Sequence, residues 1–265
     1  MAAGHRPADA NIGQVVKAGT AAEKMDIGHV IQRGFATFGS QPLFFVGLSL
    51  LMAGLPHFLG QYQFERTGAG TGSWFFASSN WMVSLPTWVL SNLLHAVLLY
   101  CALSITQGRE ASPGACLAAG LRLTVGMTLL SAMTALLYMV GFVLLVVPGV
   151  IFATMFAVAA PAMVEERIGP LAGLGRSRAL TKGLRWPILL LLILFGLAYL
   201  GLLGLAGFVV GLSGAGDAAG AKALLAASTS IAAAALSAPM LASLYVELRS
   251  MKEGDDPTDL VAIFE

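Results

Sequence analysis

The sequence predicts an all-α membrane protein with six transmembrane helices. Of its 265 residues, 57% are hydrophobic and only 11% are charged, so the chain has too little polar surface to cover a water-soluble globule. Six long apolar segments follow one another, as expected for helices that cross a hydrocarbon core of about 30 Å. The Lys and Arg residues lie almost entirely on one side of the implied membrane, which defines an orientation.

The fourth of the six predicted spans is short. It is expected to begin at a turn formed by Pro148 and Gly149 and to pack against the third span as a hairpin. Pro86, Pro161 and Pro239 lie inside spans and should bend them, because proline removes a backbone hydrogen bond. The predicted spans are Leu43–Tyr62, Trp81–Ile105, Leu123–Val147, Val150–Val164, Trp186–Leu212 and Leu224–Val246.

The distribution of basic residues predicts the topology. Of the 15 Lys and Arg residues, all but Arg66 and Lys222 fall on one side. Because cytoplasmic loops retain Lys and Arg, both ends of the chain are expected in the cytoplasm. No cleaved signal peptide is expected, since the first 26 residues are polar or small and include several charges. The net charge of +1 gives no reason to expect nucleic acid as a partner.

Three parts of the chain are predicted. Residues 1–25 are expected to form a disordered cytoplasmic segment, and residues 26–248 the six-helix transmembrane domain. Residues 249–265 are expected to form a cytoplasmic tail, in which Asp255, Asp256 and Pro257 start a short helix.

Each odd-numbered span follows a short segment that opens with a helix-start signal. These signals are Asp26, the pair Ser112–Pro113 and the pair Gly169–Pro170. A side-chain cap satisfies orphan amide groups at a helix start, and a proline at the first position avoids one. The first segment also has an apolar stripe at helical spacing. The stripe consists of Ile27, Val30, Ile31, Gly34, Phe35 and Phe38.

These segments predict three units, each an interfacial helix followed by a transmembrane hairpin. The units begin near residues 27, 113 and 170. Amphipathic helices of this kind lie in the headgroup plane with their apolar faces toward acyl chains or the bundle. The unit lengths are unequal, so re-entry geometry without a true repeat is an open alternative.

Polar side chains inside or beside the spans are few. Asn92 and His95 in the second span either line a cavity or hold the bundle together through an interhelical hydrogen bond, which we favour. Glu165 and Glu247 lie at cytoplasmic helix ends, where Arg167 and Arg249 are the expected partners.

The two cysteines are Cys101 and Cys116, fifteen positions apart. Both fall toward the predicted cytoplasmic side, where thiols are normally reduced, so we expect neither a disulfide nor a zinc site. No catalytic residue, metal site or cofactor is predicted for the chain.

Small residues are abundant in the last two spans. The fifth contains a GxxxG pair, Gly207 and Gly211, and the sixth is dominated by alanine between residues 226 and 242. Such residues allow close helix packing, either inside one subunit or in a homo-oligomer. We expect packing inside the subunit. The fifth span also contains Gly196, Gly201 and Gly204.

The segment between the fourth and fifth spans carries a compact group of basic residues next to the membrane. This group predicts contact with anionic lipid headgroups, at about 1 kcal/mol per charge. The alternative is that these residues only set the orientation of the chain. The four residues are Arg176, Arg178, Lys182 and Arg185.

Several short motifs flank the last three spans. They are Ala160–Glu165, Gly169–Pro170, Gly173–Gly183, Arg185–Trp186, Leu244–Arg249 and Asp256–Pro257. Together they resemble the signature of a bacterial membrane-protein family. That family includes the membrane domain attached to some glycerophosphoryl diester phosphodiesterases and many stand-alone six-helix proteins. The likeness extends from about Asp26 onward and implies a place in the bacterial inner membrane, with no catalytic residues to carry over.

The leading hypothesis is a non-enzymatic membrane scaffold or accessory module that engages anionic or glycerophosphate-containing lipid. The alternative is a transporter or permease of a small molecule. An enzyme is not expected, because the chain has no recognisable catalytic constellation. A phosphodiesterase barrel would alone need roughly 250 residues.

Overall fold

In the computed structural model, the described residues are 25–67, 81–212, 214 and 219–254, and within them the chain forms helices and no strand. Six segments are long and apolar enough to cross a membrane, which confirms the predicted fold class. The predicted disordered segment and the tail helix beyond Gly254 lie outside the described residues. The helices are α1 Ile27–Ser40, α2 Pro42–Ser49, α3 Leu55–Thr67, α4 Trp81–Thr106, α5 Pro113–Leu144, α6 Val146–Met155, α7 Ala159–Glu166, α8 Pro170–Thr181, α9 Arg185–Leu212 and α10 Ala219–Glu253.

The predicted helix starts are confirmed. The Asp26 side chain accepts a hydrogen bond from the backbone amide of His29, and the Ser112 side chain accepts one from the amide of Ala115. Pro170 occupies the first turn of α8. The two side-chain caps each satisfy an amide that the helix itself leaves without a partner, and the proline has no such amide.

The three-unit prediction is only partly correct. α1 ends before Pro42 and α8 ends before Gly183, whose φ of 88° favours glycine, so both are separate helices. The second predicted interfacial helix does not exist as such, because α5 runs unbroken for 32 residues from Pro113 into the third span. Within this stretch, Gly120 packs α5 closely against α4.

Proline explains the breaks within two spans. The first span widens into a π-helix at Leu50–Gly54, where the amide of Leu55 bonds the carbonyl of Leu50. Pro56 follows directly and has no amide to continue the regular pattern. In the fourth span, the helix is interrupted between Met155 and Ala159, just before Pro161. The predicted bend at Pro161 is therefore confirmed.

The turn between α5 and α6 lies earlier than predicted. Leu145, in an extended conformation, connects the two helices, and Pro148 and Gly149 lie in the first turn of α6. A proline is tolerated there because the amide it lacks has no helical partner. A Cβ added to Gly141 would lie 2.9 Å from the Cα of Gly149, so these two glycines let the hairpin close.

The core is built around α4 and α10. Glycines bring other helices close to α10: a Cβ on Gly34 of α1 would lie 2.6 Å from Met240 Sδ, and one on Gly54 would lie 2.6 Å from Ile231. Several alanines of α10 are buried, as predicted for close packing inside the subunit. The largest fully buried side chains include Tyr245, Phe45, Leu98, Leu99, Leu103, Met163, Leu180, Ile188, Leu244 and Leu248.

The glycines of α9 do not pack inside the subunit, and this prediction is wrong. Apart from the helix's own backbone and the adjacent residues, no heavy atom of the described chain lies within 4 Å of a Cβ built on Gly207 or Gly211, nor on the other three glycines of the helix. The buried residues of α9 are Ile188 and Leu191, both near its start. The remaining helix is apolar and open, a surface that lipid can cover, and a homo-oligomer stays a prediction.

The contact between α4 and α5 predicts a strong effect of substituting Gly120. A Cβ at this position would lie 3.0 Å from the backbone Cα and N of Val97, so Gly120→Ala forces the two helices apart. We expect a loss of about 1–3 kcal/mol in the free energy of unfolding. The measurement is a denaturant titration of the purified protein in mild detergent.

Gly126→Ala is the matched control in the same helix, because its nearest neighbour is Met163 at an ordinary 3.6 Å. Alanine is the better helix former, so this variant should equal the parent or gain up to about 1 kcal/mol. Equal stability of the two variants would contradict the close contact at Gly120.

Candidate functional site

Most ion pairs of the described residues lie at one end of the bundle, which we call the charged end. It comprises the start of α1, the α4–α5 connection, the end of α7, the helix α8 and the end of α10. Glu165, Glu166 and Glu253 stand at the carboxyl ends of their helices. The helix dipole disfavours negative charge there, so each of these carboxylates depends on a nearby cation.

Arg176 is the central cation of the charged end. Its Nε donates to Glu166 Oε1 at 2.6 Å, and its Nη2 donates to Glu253. Burial opposes the charge on the guanidinium, but the bonds to Glu253 and Glu166 outweigh this effect and raise the pKa of Arg176 above its ordinary value. One side chain thereby connects α7, α8 and α10.

Two further hydrogen bonds complete this clamp, which we define as Glu166, Arg176, Tyr245, Arg249 and Glu253. The Tyr245 hydroxyl donates to Glu166 Oε1 at 2.9 Å, and Arg249 donates to Glu253 at 3.0 Å. Tyr245 is fully buried, so its hydroxyl needs this partner. Sequence reasoning missed Glu166, Tyr245 and Glu253, although the spacing of Arg249 and Glu253 is a signal for a helical ion pair.

The predicted partners of the two candidate glutamates are wrong. Glu165 pairs with Arg109 of the α4–α5 connection at 2.8 Å, and Glu247 lies 3.2 Å from His29 and 3.9 Å from Arg33 of α1. Residues two apart in a helix point to different sides, which excludes Arg249 for Glu247. Arg167 adopts a left-handed conformation with φ 52° after the end of α7. Both glutamates therefore bridge distant parts of the chain.

The four predicted lipid-binding residues divide into two groups. Arg176 belongs to the clamp and is paired with Glu166 and Glu253. Arg178, Lys182 and Arg185 are exposed and form no ion pair with any described residue. Next to them, the indole of Trp186 is 82% exposed. We call Arg178, Lys182, Arg185 and Trp186 the basic face.

An amphipathic edge therefore flanks the charged end. Trp186 begins the longest apolar stretch of α9, and Leu171 on α8 is also largely exposed. Indole rings favour the boundary between headgroups and acyl chains. Three positive charges beside such a ring match the chemistry of an anionic headgroup above apolar chains.

Asn92 and His95 occupy one side of α4. The Asn92 amide donates to the backbone carbonyl of Trp88 at 2.9 Å, and the residue is 8% exposed. This bond stays within its own helix, and Asn92 forms no interhelical hydrogen bond with another described residue. Neither side chain lines the apolar groove of about 520 Å³ between α1, α2 and α10. The transport alternative stays a prediction.

Within the described ranges, no three His, Cys, Asp or Glu side chains are grouped so as to hold a metal ion. Comparison of the chain with protein-family models, with curated proteins and with solved structures finds no match.

Because only Arg176 belongs to the clamp, we expect substitutions of Arg176 and Arg178 in α8 to differ sharply in their effect on the free energy of unfolding. Arg176→Gln leaves Glu166 and Glu253 without their common cation and should lower the free energy of unfolding by about 1–2 kcal/mol. This range allows for solvent screening, since the Arg176 side chain is 27% exposed. A detergent-based unfolding titration measures it.

Arg178→Gln is the control, two residues further along the same helix. Its side chain is exposed and forms no ion pair with a described residue, so the change should stay within about 0.5 kcal/mol. A loss as large as that of Arg176→Gln would show that the clamp does not hold α8.

Proposed function

We propose that this protein is a non-enzymatic, multi-pass protein of a bacterial inner membrane, with both ends of the chain in the cytoplasm. It acts as a scaffold or accessory module that binds anionic, glycerophosphate-containing lipid through the basic face. The distribution of Lys and Arg supports the orientation, because basic residues remain on the cytoplasmic side. The resemblance to the membrane domain attached to glycerophosphoryl diester phosphodiesterases is part of the same proposal.

One observation carries the lipid part of this proposal. Arg178, Lys182 and Arg185 are exposed next to Trp186 at the end of a membrane span, without an acidic partner among the described residues. The carboxylates of Glu165, Glu166, Glu247 and Glu253 at the charged end are instead paired with other cationic or histidine side chains. Unpaired positive charges at the headgroup level attract anionic lipid at about 1 kcal/mol each.

The clamp supports the same proposal by fixing the basic face in place. Arg176 ties α8 to α7 and α10, while Arg178 on the same helix and Lys182 directly after its last residue are exposed. A headgroup therefore meets charges on a helix that is already ordered, which lowers the entropic cost of binding. A phosphate or glycerophosphate group fits the arginine side chains through charge-assisted hydrogen bonds.

The test compares two triple variants in native mass spectrometry and in anionic vesicles. Arg178→Gln/Lys182→Gln/Arg185→Gln removes three charges from the basic face and should weaken retention of phosphatidylglycerol by roughly two orders of magnitude. Folding should be unchanged, because none of the three side chains pairs within the described part of the chain.

The control triple is Arg122→Gln/Arg167→Gln/Lys252→Gln, which removes the same charge from other exposed positions of the described chain. It should retain phosphatidylglycerol nearly as well as the parent. Equal losses in both triples would indicate a general charge effect, and unchanged retention in the first would refute the basic face as a lipid site.

A further inference from the structure

The two cysteines lie opposite each other in the α4–α5 hairpin. Gly120 of α5 packs directly on Val97 of α4, where an added Cβ would lie 3.0 Å from the Val97 backbone. Because the helices are antiparallel, one helical turn toward the connection leads from Val97 to Cys101 and from Gly120 to Cys116. The register of the hairpin thus brings the thiols face to face, although fifteen positions separate them in the sequence.

The two thiols share one buried environment between the packed helices α4 and α5. Cys101 and Cys116 are both free and both fully buried. A disulfide needs Cα atoms about 4.4–6.8 Å apart. The contact between the backbones at Gly120 and Val97 favours such a separation one turn away.

A third side chain connects the thiol pair to the start of the bundle. The Cys101 thiol donates to Gln41 Oε1 at 3.9 Å, and Gln41 Nε2 donates to the backbone carbonyl of Ala111 at 3.3 Å. Gln41 is the single residue that connects α1 and α2. Loss of the Cys101 thiol proton would remove one of these two hydrogen bonds between the Gln41 side chain and the α4–α5 hairpin.

We propose that Cys101 and Cys116 are a covalent modification site that forms an intramolecular disulfide when the protein meets hydrogen peroxide. One thiol loses its proton and its sulfur attacks a peroxide oxygen; the O–O bond breaks, the departing hydroxide takes up that proton, and a sulfenic acid and water form. The second thiol then attacks that sulfur, the S–O bond breaks, and water leaves as the S–S bond forms. Two thiols are oxidised and one peroxide is reduced to two waters.

The experiment treats the full-length protein in membrane vesicles with hydrogen peroxide and blocks the remaining thiols with an alkylating reagent. Peptide mass spectrometry should then show Cys101 joined to Cys116 within one chain, and dithiothreitol should reverse the bond. Cys101→Ser and Cys116→Ser should each leave one alkylatable thiol and no intramolecular disulfide.

Cys101→Ser/Ala102→Cys is the matched control, because it keeps two cysteines but turns the α4 thiol by about 100° around the helix. Ala102 is as fully buried as Cys101, so burial alone does not distinguish the two positions. This variant should not form the bond. The proposal is overturned if folded wild-type protein retains both free thiols after peroxide, if its disulfides join separate chains, or if the control forms the bond equally well.

Discussion

The arrangement of this bundle depends on cations that neutralise carboxylates at helix ends. Apolar helices in lipid have no hydrophobic reason to prefer one another, and α9 shows how little contact such a helix needs. The order of the other helices is fixed instead by close contacts at glycine and by the pairs of the charged end. Arg176 joins α7, α8 and α10, Arg109 joins the α4–α5 connection to α7, and Glu247 joins α10 to α1.

The same constraint divides the basic residues of α8 into two roles. Arg176 is a suitable bridge because a guanidinium offers several donors in a fixed plane and can hold two carboxylates at once. Arg178 lies two residues further along α8 and Lys182 directly after the helix; both are exposed, and no described acid pairs with either. A sequence shows only a run of positive charge here. Which of these basic residues faces the bundle depends on where the ends of α7 and α10 lie.

The sequence predicts the spans and the helix starts well, because hydropathy and capping are local properties. Asp26, Ser112 and Pro170 act within a few residues of themselves, and the structure agrees with them. The failures concern properties that are not local. The second predicted interfacial helix is instead the start of α5, where Gly120 packs closely against Val97. The partners of Glu165 and Glu247 and the meeting of the two cysteines likewise depend on tertiary contacts.

The helix α10 is longer than the hydrocarbon core of a membrane is thick. Its 35 residues extend about 52 Å at 1.5 Å per residue, against a hydrocarbon core of about 30 Å. Several turns of α10 must therefore stand in the headgroup layer or beyond it, where water and dissolved ions reach them. Since exposed charge pairs are screened by salt, the ionic strength at that membrane surface sets how firmly α8 is held. The protein thus has, at one face of the bilayer, a cluster of ion pairs whose strength depends on the salt concentration of the surrounding solution.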